Sequence, residues 1–144
     1  MTILAAIDLS ETTHSVINSL SAVVNKDETI VLLHVAEPNP EFVGFDTGPK
    51  VVKEQLANEF KRQRAELQEY ADTLTSRGLS VNAMQIHGAH ADAIIKTADE
   101  LAVRMIVLGN RRHGTLYDIL VGSVAESVIR HANQPVLMVP NHTD

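Results

Sequence analysis

The 144-residue chain has no cysteine and no tryptophan, and only 3% of its residues are aromatic. Without cysteine there are no disulfides, no thiolate catalysis and no cysteine-ligated zinc or iron–sulfur cluster. So few aromatic rings disfavour flavin stacking and leave a core of Val, Ile, Leu, Ala and Met, a composition suited to a parallel sheet. No apolar run approaches the roughly 20 residues of a membrane span, so membrane insertion is not expected. The opening Met-Thr-Ile-Leu-Ala-Ala-Ile-Asp has no basic region before an apolar stretch, so a cytoplasmic location is expected. The net charge of −6 lacks the extended basic face that displaces counterions from nucleic acid, so no nucleic-acid partner is expected. Any basic site must be local.

What the chain does have is alternation. Residues 3–7 form a short apolar run stopped by Asp8. Ser10 is placed to cap a helix whose apolar face is Val16, Ile17, Leu20, Val23 and Val24. Residues 29–35 are β-branched and aliphatic, a second strand. Residues 37–50 hold three prolines and two glycines and read as a long loop. From 51 to 77 the composition turns to Gln, Glu, Lys, Arg and Ala, with Leu56, Phe60, Leu67, Tyr70, Ala71 and Leu74 at helical spacing and Gly78 as the stop. Strands follow at 81–86, 105–108 and 136–139, with a helix at 91–102 that turns Ile94, Ile95, Ala98 and Leu101 inward. Strands separated by helices imply a single-domain α/β fold, an open five-stranded parallel sheet flanked by helices through right-handed crossovers. In such sheets ligands bind beyond the carboxyl ends of the strands, where the strand order reverses.

The segment 108–125 concentrates what a phosphate-binding loop needs. Gly109 follows an apolar run, Arg111 and Arg112 bring positive charge to an acidic chain, and Gly122-Ser123 precedes a helical pattern. The spacing from Gly109 to Gly114-Thr115 approaches a P-loop, but Thr115 stands where the phosphate-binding Lys is required. No Gly-x-Gly-x-x-Gly follows the first strand, and a flavodoxin-type loop is disfavoured because Asp8 to Thr13 contains hydroxyls but no glycine.

Gly109-Asn110-Arg111-Arg112, then nine residues, then Gly122-Ser123 forms a pattern in which the chain resembles the universal stress protein family. The resemblance extends through Ala6-Ile7-Asp8-Leu9-Ser10-Glu11, His34-Val35, Val107-Leu108-Gly109, Gly122-Ser123-Val124-Ala125-Glu126 and Gln134-Pro135-Val136-Leu137-Met138-Val139-Pro140. It implies one small domain over 1–144, Rossmann-like and of the adenine nucleotide alpha hydrolase type, with strand order 3-2-1-4-5. It also implies an ATP site, with no catalytic residue assigned: adenine near Ile7, Asp8 and Val35, ribose near Leu108 and Gly109, and phosphates near Arg111, Arg112, Gly122, Ser123, Val124 and Ala125, with Asp8 able to hold Mg²⁺ through water. One departure stands out, since the ATP-binding branch usually has Gly at the position of Arg112. The resemblance further implies a homodimer through Val136, Leu137, Met138 and Val139, and a protein client such as a membrane transport system.

Plainer readings stand beside these. Gly109 turns the chain and Ser123 caps the last helix; Asp8 caps the first helix; His87, His90 and Asp92 form a loop entering a helix rather than a metal cluster; His34 is a core or crevice histidine; His113 is a candidate phosphate contact. Three functions follow: a nucleotide-dependent regulatory protein that need not hydrolyse ATP, a slow ATPase or nucleotidyl-transfer enzyme using the same crevice, and a dimeric module without nucleotide.

Overall fold

The computed structural model describes residues 1–36, 50–110 and 122–140. Its elements alternate as the apolar pattern requires: β1 (Thr2–Ala6), α1 (Thr12–Val23), β2 (Thr29–Ala36), α2 (Lys50–Ser76), β3 (Ser80–His87), α3 (His90–Glu100), β4 (Met105–Asn110), α4 (Ser123–His131) and β5 (Val136–Pro140). The five strands are parallel in the order β3-β2-β1-β4-β5. The order reverses between β1 and β4. Their register runs Ile3 against Met105 through Ala6 against Leu108.

Side chains alternate across a strand, so a parallel sheet must be apolar on both faces. On one face Ile3, Ala5, Ile7, Ile30, Leu32 and Val107 meet Val16, Ile17 and Leu20 of α1 and Leu67, Ala71 and Leu74 of α2. On the other, Leu4, Val31, Leu33, Val35, Ile106 and Leu108 meet Ile94 and Ala98 of α3 and Ala125 and Val128 of α4. Thus α1 and α4, the helices that follow the two central strands, lie on opposite faces.

Helix ends show why two boundaries differ from the pattern in the sequence. At the end of α2, Gly78 has φ +86°, its N–H donates to the Thr75 carbonyl and the Leu79 N–H donates to the Leu74 carbonyl, a paired closure that needs a left-handed residue. The helix α3 closes the same way, but Ala102 occupies the left-handed seat at φ +49°. Its N–H reaches the Asp99 carbonyl and the Val103 N–H reaches the Ala98 carbonyl. The helix therefore ends at Glu100, and Leu101, expected to face inward, is 38% exposed. The inward seat is taken by Thr97 and Val103 instead.

A bidentate ion pair ties the base of the sheet together. Arg104 Nε and Nη2 donate to the Glu28 carboxylate at 2.7 and 2.8 Å, and the same carboxylate accepts the Asn25 N–H at 3.0 Å. This joins the α1–β2 turn to the start of β4, at the end of the sheet away from the strand C-termini.

Candidate functional site

At the C-terminal ends of β1 and β4 the backbone of β1 leaves the sheet through Asp8 and Leu9. Leu9 takes φ +61°, a left-handed conformation that costs a branched side chain roughly 1 kcal/mol or more. It is held by Asp8, whose Oδ1 accepts the Ser10 N–H at 3.0 Å, the Ser10 hydroxyl and, at 3.4 Å, the Thr12 hydroxyl. The Ser10 hydroxyl in turn accepts the Thr12 N–H at 3.3 Å. The cap residue of α1 is Glu11, with no side-chain cap bond, so neither Ser10 nor Asp8 caps the helix as expected; the two brace the turn that leads into it, and Asp8 also borders a cleft.

That cleft has a volume of about 420 Å³, within the roughly 300–1,000 Å³ typical of small-molecule sites. The strand ends contribute Ala6, Ile7, Asp8, Leu33, Val35, Leu108 and Gly109. Helix α1 contributes Thr12, Thr13 and Val16, α3 contributes His90 and Ile94, and the entrance of α4 contributes Gly122, Ser123, Val124 and Ala125. Nine of the eleven residues singled out from the sequence thus line one cavity. Arg111 and Arg112 lie outside the described residues, as does His113.

The two glycines of the cleft differ in kind. Gly109 lies within β4, so it does not turn the chain. A Cβ there would stand 3.1 Å from Val16 Cγ2 and 3.2 Å from Thr12 Cβ and Oγ1, so the glycine lets α1 approach the sheet. At Gly122 a Cβ would meet nothing within 4 Å, and φ −57°, ψ 152° suits any residue. Neither packing nor conformation requires glycine there. Gly122 is the cap residue of α4 and has no side chain to close it, so Ser123 begins the helix rather than capping it. The first bond of the helix runs from the Glu126 N–H to the Gly122 carbonyl at 2.9 Å. The N–H groups of Ser123, Val124 and Ala125 precede it, at the positive end of the helix dipole.

Polar groups behind the cleft are arranged unevenly. His34, 4% exposed, receives a hydrogen bond at Nδ1 from Gln85 Nε2 at 3.3 Å, and that amide also donates to the Phe60 carbonyl. Burial, then the charge of His90, hold the His34 imidazole below its ordinary pKa, and Asp8 pulls weakly the other way. It is the core alternative of the sequence reading, buried and hydrogen-bonded, and it is not among the residues that line the cleft. His87 stacks on Phe60 with ring centroids 4.5 Å apart, and His90 opens α3 with Asp92 in its first turn. Among the described residues no group of three potential ligands gathers around a metal position. Ala6, Thr12, Thr13, Val16, Leu33, His90 and Ile94 are the lining residues that the sequence argument did not assign to the site. Thr12 and Thr13 were visible only as hydroxyls after Asp8, and what brings Thr12 against Gly109 is the packing of α1 on β4.

The same architecture is found in solved structures that superpose on this chain. The universal stress protein family model matches residues 1–140. Universal stress protein MJ0577 of Methanocaldococcus jannaschii is 30% identical over an alignment that covers 95% of this chain and 93% of the relative. Its solved structure superposes with a TM-score of 0.82 at 28% identity, covering 99% and 97% of the two chains. At 21% identity, where likeness shows the fold alone, stand a universal stress protein in complex with cAMP (TM-score 0.71, 97% and 96% covered) and one from Archaeoglobus fulgidus in complex with dAMP (TM-score 0.64, 96% and 97% covered). With a family match over nearly its whole length, and a sheet order and strand-end cleft of the kind expected, the chain belongs to the universal stress protein family.

Proposed function

We propose that the chain is a cytoplasmic regulatory protein that binds ATP with Mg²⁺ in the cleft between α1 and α4. The observation that carries this reading is Gly122: a glycine that neither packing nor backbone conformation demands, at the uncapped entrance of a helix facing a cavity of suitable size. Leaving that position bare gives an anion access to the N–H groups of Ser123, Val124 and Ala125. The two relatives in complex with cAMP and dAMP support an adenine nucleotide as the class of ligand.

The charges of the cleft give the ligand a direction. Asp8 places a carboxylate at the β1 end, which repels phosphate, whereas the α4 entrance carries the equivalent of roughly half a positive charge. The nucleoside accordingly lies toward Ile7, Asp8 and Val35, the sugar passes Leu108 and Gly109, and the phosphates lie toward Gly122, Ser123, Val124 and Ala125, with Arg111 and Arg112 supplying positive charge from the adjoining loop. Asp8 Oδ1 already accepts bonds from Ser10 and Thr12, so at the nucleoside end the carboxylate suits a bond from the nucleotide's own donors rather than contact with Mg²⁺, which belongs with the phosphates. Mg²⁺ would neutralise charge on the polyphosphate. Among the described lining residues the titratable side chains are Asp8 and His90, a set that favours binding over hydrolysis.

Binding without turnover still regulates if the nucleotide prefers one state of the loop between Gly109 and Gly122, and so changes the surface offered to a client. The outer margin of β5, with Val136, Leu137, Met138 and Val139, is the surface for pairing with a second copy, because an edge strand leaves backbone groups to be covered. Calorimetric titration with Mg·ATP tests the reading. Saturable binding to the wild type, weakened by Gly122→Ala with the fold intact, supports it, and a wild type that binds no adenine nucleotide removes it.

A further inference from the structure

Thr13 is fully buried in the first turn of α1, yet it borders the cleft. Its Oγ1 has no hydrogen-bond partner among the described residues. A buried hydroxyl left without a partner carries the cost of its lost hydration, and native structures retain few of them without a purpose. Its neighbours are satisfied: Ser10 and Thr12 both bond to Asp8. The Thr12 side chain also lies against Gly109, where an added Cβ would approach it to 3.2 Å. Thr12 therefore stands between the carboxylate of Asp8, just beyond β1, and Gly109 on β4, and Thr13 follows it in the same turn of α1 at the lining of the cleft.

We infer that the Thr13 hydroxyl is a specificity contact for a ribose hydroxyl of the bound nucleotide. The inference rests on the direction of the ligand proposed above. With the base toward Asp8 and the phosphates toward α4, the part of the molecule between them is the sugar, and the sugar carries neutral hydroxyls that both donate and accept. A threonine hydroxyl matches that chemistry. A phosphate is the poorer partner at this point, because the carboxylate of Asp8 already occupies the entrance of α1. The unpaired Oγ1 thus represents a bond reserved for the ligand, and its cost to the free protein is recovered on binding.

The test uses Thr13→Val, which keeps the shape and removes the hydroxyl, and Thr13→Ser, which keeps the hydroxyl. Affinities for ATP, 2′-deoxy-ATP and 3′-deoxy-ATP are measured by calorimetry with Mg²⁺, beside thermal unfolding of the free proteins. The wild type and Thr13→Ser should prefer ATP over one deoxy form by roughly three- to tenfold, the worth of one neutral hydrogen bond. Thr13→Val should lose that preference and bind ATP more weakly by the same factor, while its free form melts at the same or a higher temperature. A Thr13→Val protein that melts higher but keeps the full preference for ATP overturns the inference and leaves the nucleotide reading intact. A folded wild type that binds none of the three nucleotides overturns that reading, and the inference with it.

Discussion

Adding a methyl group at each of the two cleft glycines should have opposite effects on stability and on binding. At Gly109 the new Cβ would lie 3.1 Å from Val16 Cγ2 and 3.2 Å from Thr12 Cβ and Oγ1, whereas carbon atoms pack best at about 3.5–4.0 Å. Both neighbours are buried, so α1 has to withdraw by a few tenths of an ångström. Overpacking of this kind costs about 1–3 kcal/mol, partly offset by about 0.5–1 kcal/mol from the lower backbone entropy of alanine in the unfolded chain. A net loss of about 1–2 kcal/mol remains. For a chain of 144 residues, an unfolding entropy near 2 cal/mol/K per residue converts this into a fall in Tm of about 3–6 °C. At Gly122 the Cβ meets nothing, and replacing a glycine cap by alanine costs less than about 1 kcal/mol. The methyl group does, however, stand before the first N–H groups of α4. Loss of one charge-assisted contact to phosphate, worth about 1.5–3 kcal/mol, weakens the nucleotide by tenfold or more. Calorimetric scanning and titration of the two variants measure all four quantities. An unchanged affinity in Gly122→Ala would refute the use of that space by a ligand, and an unchanged Tm in Gly109→Ala would refute the packing argument.

Ala102→Gly should stabilise the protein by about 1 kcal/mol, or roughly 3 °C in Tm, because the left-handed seat at φ +49° that closes α3 suits glycine; a fall in Tm contradicts that account. The Arg104 guanidinium, then the Asn25 N–H, hold the Glu28 carboxyl well below its ordinary range, to about 2. Its stabilising effect is therefore present above about pH 4.5 and is lost as the pH falls toward 2. Glu28→Gln should lower stability at neutral pH and flatten the acid limb of a Tm-against-pH curve, and an identical acid limb in the variant would exclude the pair as its source. Sedimentation velocity should show the wild type as a dimer, with β5 at the sheet margin supplying the contact, whereas a monomer at micromolar concentration would refute pairing through that strand.

The parallel sheet was legible because its code is redundant. Each strand is a short apolar run and each helix has an apolar stripe, so loss of any one residue leaves the pattern standing. The strand order came from the resemblance to a family rather than from periodicity, since apolar runs do not say which neighbour they choose. Most of the site was legible for a local reason: Asp8, Gly109 and Gly122-Ser123 all adjoin the end of a strand or the start of a helix. Thr12 and Thr13 were not, because their place in the cleft comes from the packing of α1 across β4, a contact between segments almost a hundred residues apart. Leu101 failed for the opposite reason. Its helical spacing was right, but the helix stops one residue before it, at Glu100, and is closed by the left-handed Ala102 that follows, a conformation that propensity does not favour. Sequence alone also assigned Gly109 and Gly122 the same purpose, and only the space around each separates a glycine needed for packing from one needed for access.

The most direct measurement is titration of the purified protein with ATP in the presence of Mg²⁺, followed by calorimetry and by thermal unfolding. The account predicts a saturable isotherm with one nucleotide per chain. It also predicts a rise in Tm that grows with nucleotide concentration, about 2.7 kcal/mol of added stability at a hundredfold excess over Kd. A folded protein that gives no binding heat and no change in Tm with ATP, ADP or AMP would contradict it.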